Sequence, residues 1–183
     1  MMASAIAQTT KNIRIGNAVN LLPLHQPIRL AEEVATLDVL SNGRAIFGAG
    51  RGSMPSHSEG YGVRQEEGRD RFLEALEVIL GSWCEDRFAY RGKYYQAYGY
   101  NPTPRPIQQP HPPVYIAANS ADTFGIVGSL GHNILVAPTI VTAEGETTMG
   151  ICRAMLPSFV NRGRFNASRA DQDPKSDMSH LVI

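Results

Sequence analysis

Residues Ile13–Gly52, IRIGNAVNLLPLHQPIRLAEEVATLDVLSNGRAIFGAGRG, read as one strand–helix–strand unit, and the rest of the chain is organised around it. Ile13–Asn20 is apolar and β-branched, with Gly16 and Asn17 inside it, as in a parallel strand covered on both faces. Pro23 and Pro27 punctuate the following loop, and Pro27 suits the first turn of a helix. From Ile28 to Leu40, Leu30, Val34 and Leu37 recur at helical spacing, with Glu32, Glu33 and Asp38 on other faces. Asn42-Gly43 ends that helix, because both residues tolerate the left-handed conformation of a C-terminal cap. A second apolar strand, Ala45–Ala49, follows at once. Two strands joined by a covering helix run parallel with a right-handed crossover, so the fold class is α/β.

The same alternation continues outward. A loop from Gly50 to Gln65 is rich in Gly, Ser, Pro and His. The spacing of Phe72, Leu76, Ile79, Leu80 and Trp83 predicts a helix over 66–83. An aromatic excursion (84–113) comes next, with Gly92 turning a hairpin inside RFAYRGKYYQAYGY. Residues 101–113 carry six prolines and read as a stiff surface connection. Val114–Ala118 is a buried strand, Ala121–Leu130 a helix capped by Gly131, and Ile134–Val136 a further strand. Residues 144–160 read as helical, and His180–Ile183 as the start of one more strand. The opening residues read as the end of a helix leading into the first strand. Repeated β/α units admit a doubly wound open sheet or a (β/α)8 barrel. A barrel needs ~250 residues, so about five strands in 183 residues would make an incomplete one that starts inside a helix and stops inside a strand.

With 43% hydrophobic residues, the chain is able to form one ordinary domain with a real core. Formal net charge is zero, which leaves no global field to draw nucleic acid or an anionic membrane. No apolar run approaches the ~20 residues of a membrane span, and the opening residues lack the pattern of a secretory signal. Cys84 and Cys152 are far apart and read as free thiols in a reducing compartment, so a soluble cytoplasmic protein is expected. His25, His57, His111, His132 and His180 have no metal-ligand spacing, and no metal is expected.

Three places carry chemistry, all just past the C-terminal ends of strands, where ligands bind in both α/β architectures. In Gly48-Ala-Gly-Arg-Gly52 the glycines permit close backbone approach to a ligand, with Arg51 aimed at an anion. A dinucleotide fingerprint would need a helix opening on the last glycine, whereas Pro55 and a long polar loop intervene. A Gly-rich turn with a solvated arginine is the plain alternative. Arg69, three residues before Phe72 and seven before Leu76, falls on its helix's buried stripe, where a guanidinium needs a partner. In Asn119-Ser-Ala-Asp-Thr123, Ser120 stands at a helix N-cap, either as a plain cap or as part of an anion site. Two arginines and a helix N-terminus at strand ends suggest a bound phosphate.

Together with EEGRDRFLEALEVIL, GKYY and PRPIQQPHPPVYIAANS, the opening stretch resembles the bacterial luciferase-like flavin monooxygenases from about Thr10 to Val136. The resemblance implies a single (β/α)8 TIM-barrel domain over 1–183, incomplete, whose full-length form is a homodimer. It implies reduced FMN, supplied by a flavin reductase, reacting with O2 to oxygenate a small organic substrate. The family's phosphate-binding arginines fall on Arg51 and Arg69, and its phosphate-binding serine and threonine on Ser120 and Thr123, beside Asn119. A non-proline cis peptide under the flavin ring aligns with Ala18–Val19. The reactive cysteine of some luciferases is Gly50 here, which argues against light emission. The family's usual catalytic histidine lies in strands that precede the region represented, so no catalytic residue is assigned and this chain alone is expected to be weakly active or inactive. Relatives on the same barrel use a deazaflavin to move hydride without oxygen. A non-catalytic flavin-binding or structural subunit is the other alternative.

Overall fold

The computed structural model describes residues 1–118 and 121–136. The elements are α1 (Met2–Thr9), β1 (Ile15–Gly16), β2 (Asn20–Leu21), α2 (Pro27–Ser41), β3 (Ala45–Gly50), α3 (Pro55–Gly60), α4 (Gly68–Cys84), β4 (Phe88–Arg91), β5 (Gln96–Tyr100), β6 (Val114–Ala117), α5 (Ala121–Leu130) and β7 (Asn133–Leu135). The expected helix over 144–160 and strand over 180–183 lie outside the described residues.

Helix α2 forms for local reasons. Pro27 starts it, the Gln26 side chain accepts a hydrogen bond from Arg29 N at 2.7 Å, and Asn42 ends it in the left-handed region at φ 55°. Leu30, Val34 and Leu37 are buried as the spacing requires. β3 follows and is buried throughout. Its parallel neighbours are β1 and β2 on one side and β6 on the other, and β6 in turn pairs with β7. Strands therefore lie side by side in chain order, each joined to the next through a helix. That is the single winding of a (β/α) barrel, since a doubly wound sheet reverses its strand order at a switch point. The described strands do not close the barrel.

The expected strand Ile13–Asn20 is instead two short segments. Gly16 is opposite Ile46 and Asn20 opposite Ala49, so four steps along one chain face three along the other. The extra residue makes Asn17–Val19 bulge out of the ladder, and Asn17 and Ala18 are exposed.

The main core lies between the sheet and α2, α4 and α5, with Phe47, Leu76, Ile79, Ile116 and Phe124 buried. Trp83 meets Phe47 edge-to-face at 5.2 Å, and its Nε1 donates to Ala31 O at 3.0 Å, tying α4 to α2. Trp83→Phe is expected to cost about 1–2 kcal/mol, read as a lower denaturant midpoint. An unchanged midpoint would show that the indole hydrogen bond contributes nothing.

Two further sequence expectations are corrected. Asp38, assigned to a polar face, is fully buried. Its Oδ2 accepts from Ile107 N (2.8 Å) and Gln108 N (2.9 Å), and its Oδ1 from Gln108 Nε2 (2.6 Å). The proline-rich segment is therefore anchored through its backbone rather than merely lying on the surface, and Pro102, Pro106 and Pro112 are buried. In the loop after β3, residues 55–60 form the short exposed helix α3, which Pro55 pre-sets at its first position.

β4 and β5 form the expected antiparallel hairpin, with Gly92 N donating to Tyr95 O across the turn. Glu74 of α4 holds its tip, accepting from Tyr94 N (2.9 Å) and Tyr95 N (2.8 Å). Among the described residues no helix is long and apolar enough to cross a membrane.

Candidate flavin site

The site is built where β2, β3 and β6 end side by side. Leu21 is opposite Gly50, and Ala49 opposite Ile116, which brings the C-terminal ends of the three strands into one row. Gly50, the last residue of β3, is the narrow point. A Cβ added there would lie 2.3 Å from Val19 Cγ2 and 3.8 Å from Ala117 Cβ. Only glycine lets the three strand ends approach this closely, leaving a small-residue floor of Val19, Gly50 and Ala117.

Val19 reaches Gly50 because of the bulge in the preceding strand. Asn20 is 8% exposed, and its Nδ2 donates to Gly48 O at 3.0 Å. Its Oδ1 accepts from Asn17 Nδ2 at 2.9 Å. The peptide bond between Ala18 and Val19, within the bulge, is cis. By sequence alone Asn17 and Asn20 are simply residues of the strand Ile13–Asn20. The available signal was a pair of asparagines inside a β-branched run, where asparagine is depleted.

Arg51 leaves the floor and turns toward the start of α4. A Cβ on Gly68 would be 3.7 Å from Arg51 Cγ, so the Arg51 side chain lies over the first residue of the helix, which precedes Arg69 in the chain. Arg69 is exposed and not on the buried stripe. In the first helical turn the 3.6-residue stripe runs past the end of the packed core, and Gly68 is the residue that turns inward there. Neither Arg51 nor Arg69 forms an ion pair among the described residues. The acid just before Gly68 is engaged elsewhere. Glu67 accepts from Arg64 and from Arg71 Nε (2.9 Å), and these hydrogen bonds hold its carboxyl below the usual range. An exposed guanidinium at the strand ends with no ion pair among the described residues, as Arg51 is, suits an anion.

Thr123 is partly buried in the first turn of α5, the helix that follows β6. Asn119 and Ser120, the residues between them in the chain, lie outside the described residues. Among the described residues no cluster of His, Cys, Asp and Glu is suited to a metal ion. His132 is held below its ordinary pKa by burial and then by nearby His111.

The chain is 31% identical over 148 residues to the oxygenase component of the flavin-dependent trigonelline monooxygenase of Acinetobacter baylyi, covering 79% of this chain and 41% of that protein. It is 33% identical over 136 residues to the F420-dependent glucose-6-phosphate dehydrogenase of Amycolatopsis mediterranei, covering 72% and 40%. Among solved structures it superposes, with TM-score 0.66 and 25% identity, on the oxygenating constituent of 3,6-diketocamphane monooxygenase from Pseudomonas putida in complex with FMN, covering 74% of this chain and 41% of that one. The chain thus spans less than half the length of these relatives. The luciferase-like monooxygenase family model matches residues 1–156, and the chain belongs to that family.

Proposed function

We propose that the protein is a flavin-dependent monooxygenase that uses FMN, reduced by a separate flavin reductase, and O2 to oxygenate a small organic substrate. The observation that carries this reading is Arg51, exposed, without an ion pair among the described residues, leaving the Gly50 floor to lie against Gly68 at the start of α4, the residue before Arg69 in the chain. The residues fit the cofactor. The two guanidiniums would hold the phosphate, with Ser120 and Thr123 completing its donors. Ala18, Val19, Gly50 and Asn119 would line the ring end, where a narrow apolar floor suits a planar aromatic system and keeps water away from it. When bound, reduced FMN would supply the electrons that activate O2. A homodimer formed by the full-length protein, working in the cytoplasm, belongs to the same proposal.

A deazaflavin is the second reading, favoured by the similarity to an F420-dependent dehydrogenase. It would leave the phosphate seat unchanged and replace oxygenation with hydride transfer.

Because the described strands do not close a barrel, binding rather than turnover is the direct readout. Titration with FMN, oxidised and reduced, followed by flavin fluorescence, is expected to saturate. Arg51→Ala is expected to weaken it at least about tenfold, the loss of one charge-assisted hydrogen bond. No saturable binding by the folded chain, or equal binding by Arg51→Ala and Arg69→Ala variants, would overturn the phosphate seat. Competition by F420 with FMN at lower concentration would favour the deazaflavin.

A further inference from the structure

We infer that Asn20, held by Asn17, is the positioning residue of the flavin floor, an inference that rests on the flavin reading above. Between Gly16 and Asn20 the edge strand carries one residue more than β3 opposite it, so one stretch of the β3 backbone loses its regular ladder partner. Gly48 O lies at the end of that stretch, deep in a buried strand, just before the pairing resumes at Ala49. The Asn20 carboxamide donates to it through Nδ2, at 3.0 Å, so the side chain as well as the strand pairing ties residue 20 to β3 where the ladder resumes. Its oxygen is then turned toward the bulge, where Asn17 Nδ2 donates to it at 2.9 Å. One side chain thus closes both ends of the irregular segment. The residue between the two clasped asparagines that faces the site is Val19, whose side chain presses on Gly50.

Neither asparagine is needed to touch a cofactor. Asn20 is buried beneath the bulge, and its two hydrogen bonds set where the Val19 backbone and side chain stand relative to the strand ends. A carboxamide is the group required, because it offers a donor and an acceptor on one planar head. Leucine fills a similar volume and offers neither.

The test uses the full chain and the variants Asn20→Leu and Asn17→Ala, with two readouts. In the flavin-free protein, amide hydrogen exchange at residues 18–20 is expected to quicken in both variants while far-UV circular dichroism is unchanged. In the FMN titration, both variants are expected to bind more weakly, about tenfold for Asn20→Leu. The visible circular dichroism of the bound flavin is expected to change as well. Adding Asn17→Ala to Asn20→Leu should bring no further loss, since the two act through one hydrogen-bond chain. Asn17 is exposed, so Asn17→Ala decides the matter if Asn20→Leu does not fold. Unchanged exchange, or unchanged affinity and spectrum in folded variants of a chain that binds FMN, would overturn the positioning role alone. No flavin uptake by the unsubstituted chain would instead overturn the flavin reading and the positioning role with it.

Discussion

Gly48→Ala is expected to destabilise the fold by about 3 kcal/mol or more, a large share of the ~5–15 kcal/mol that holds a domain together. An added Cβ would lie 1.9 Å from Asn17 O and 3.1 Å from its carbonyl carbon. The obstacle is backbone, not a side chain able to rotate away. β3 is unable to retreat either, because Gly48 is paired with Tyr115 of β6 on its other side. Relief would require unmaking the bulge, and with it the Asn20 hydrogen bond to Gly48 O. Urea unfolding followed by circular dichroism measures the loss. Gly125→Ala is the control. Gly125 is exposed inside α5 with open space around it, so alanine there is expected to be neutral or stabilising by up to about 1 kcal/mol. If Gly48→Ala were as stable as the parent, Asn17 would not stand over β3 as described.

Asp38→Ala is expected to cost about 3 kcal/mol, and Asp38→Asn about half as much. The carboxylate is fully buried and tolerated only because three donors reach it. Alanine leaves Ile107 N and Gln108 N without their acceptor, takes one of the two bonds of Gln108 Nε2, and frees the proline-rich segment from α2. Asparagine keeps an oxygen for Ile107 N and Gln108 N but sets an NH2 against Gln108 Nε2. Turning the Gln108 carboxamide over would relieve that opposition at the expense of its other bond, 2.8 Å to Ala45 O. Denaturant midpoints for the two variants and Gln108→Ala check this ranking. An Asp38→Ala variant with parental stability would mean that the anchor contributes nothing.

Losing this anchor should also reach the site. The segment 101–113 leads directly into β6, whose Ala117 flanks Gly50. Asp38→Ala is therefore expected to weaken FMN binding in addition to lowering stability, whereas Trp83→Phe, farther from the strand ends, should lower stability alone.

The sequence by itself determined what depends on neighbours in the chain. The burial stripe of α2 follows from side chains three and four residues apart. Its end follows from Asn42 and Gly43 tolerating positive φ, at 55° and 78°. The hairpin turn at Gly92 and the parallel order of strands were legible in the same way. Only the tertiary structure decided what depends on distant partners. Asn20 bonds a carbonyl 28 residues away and Asp38 an amide 69 residues away, and no local period encodes either pairing. The bulge was invisible because a β-branched run reads the same whether its ladder is regular or carries one extra residue. Arg69 was misplaced because helical period states which face a residue occupies, whereas burial depends on where the covering elements stop.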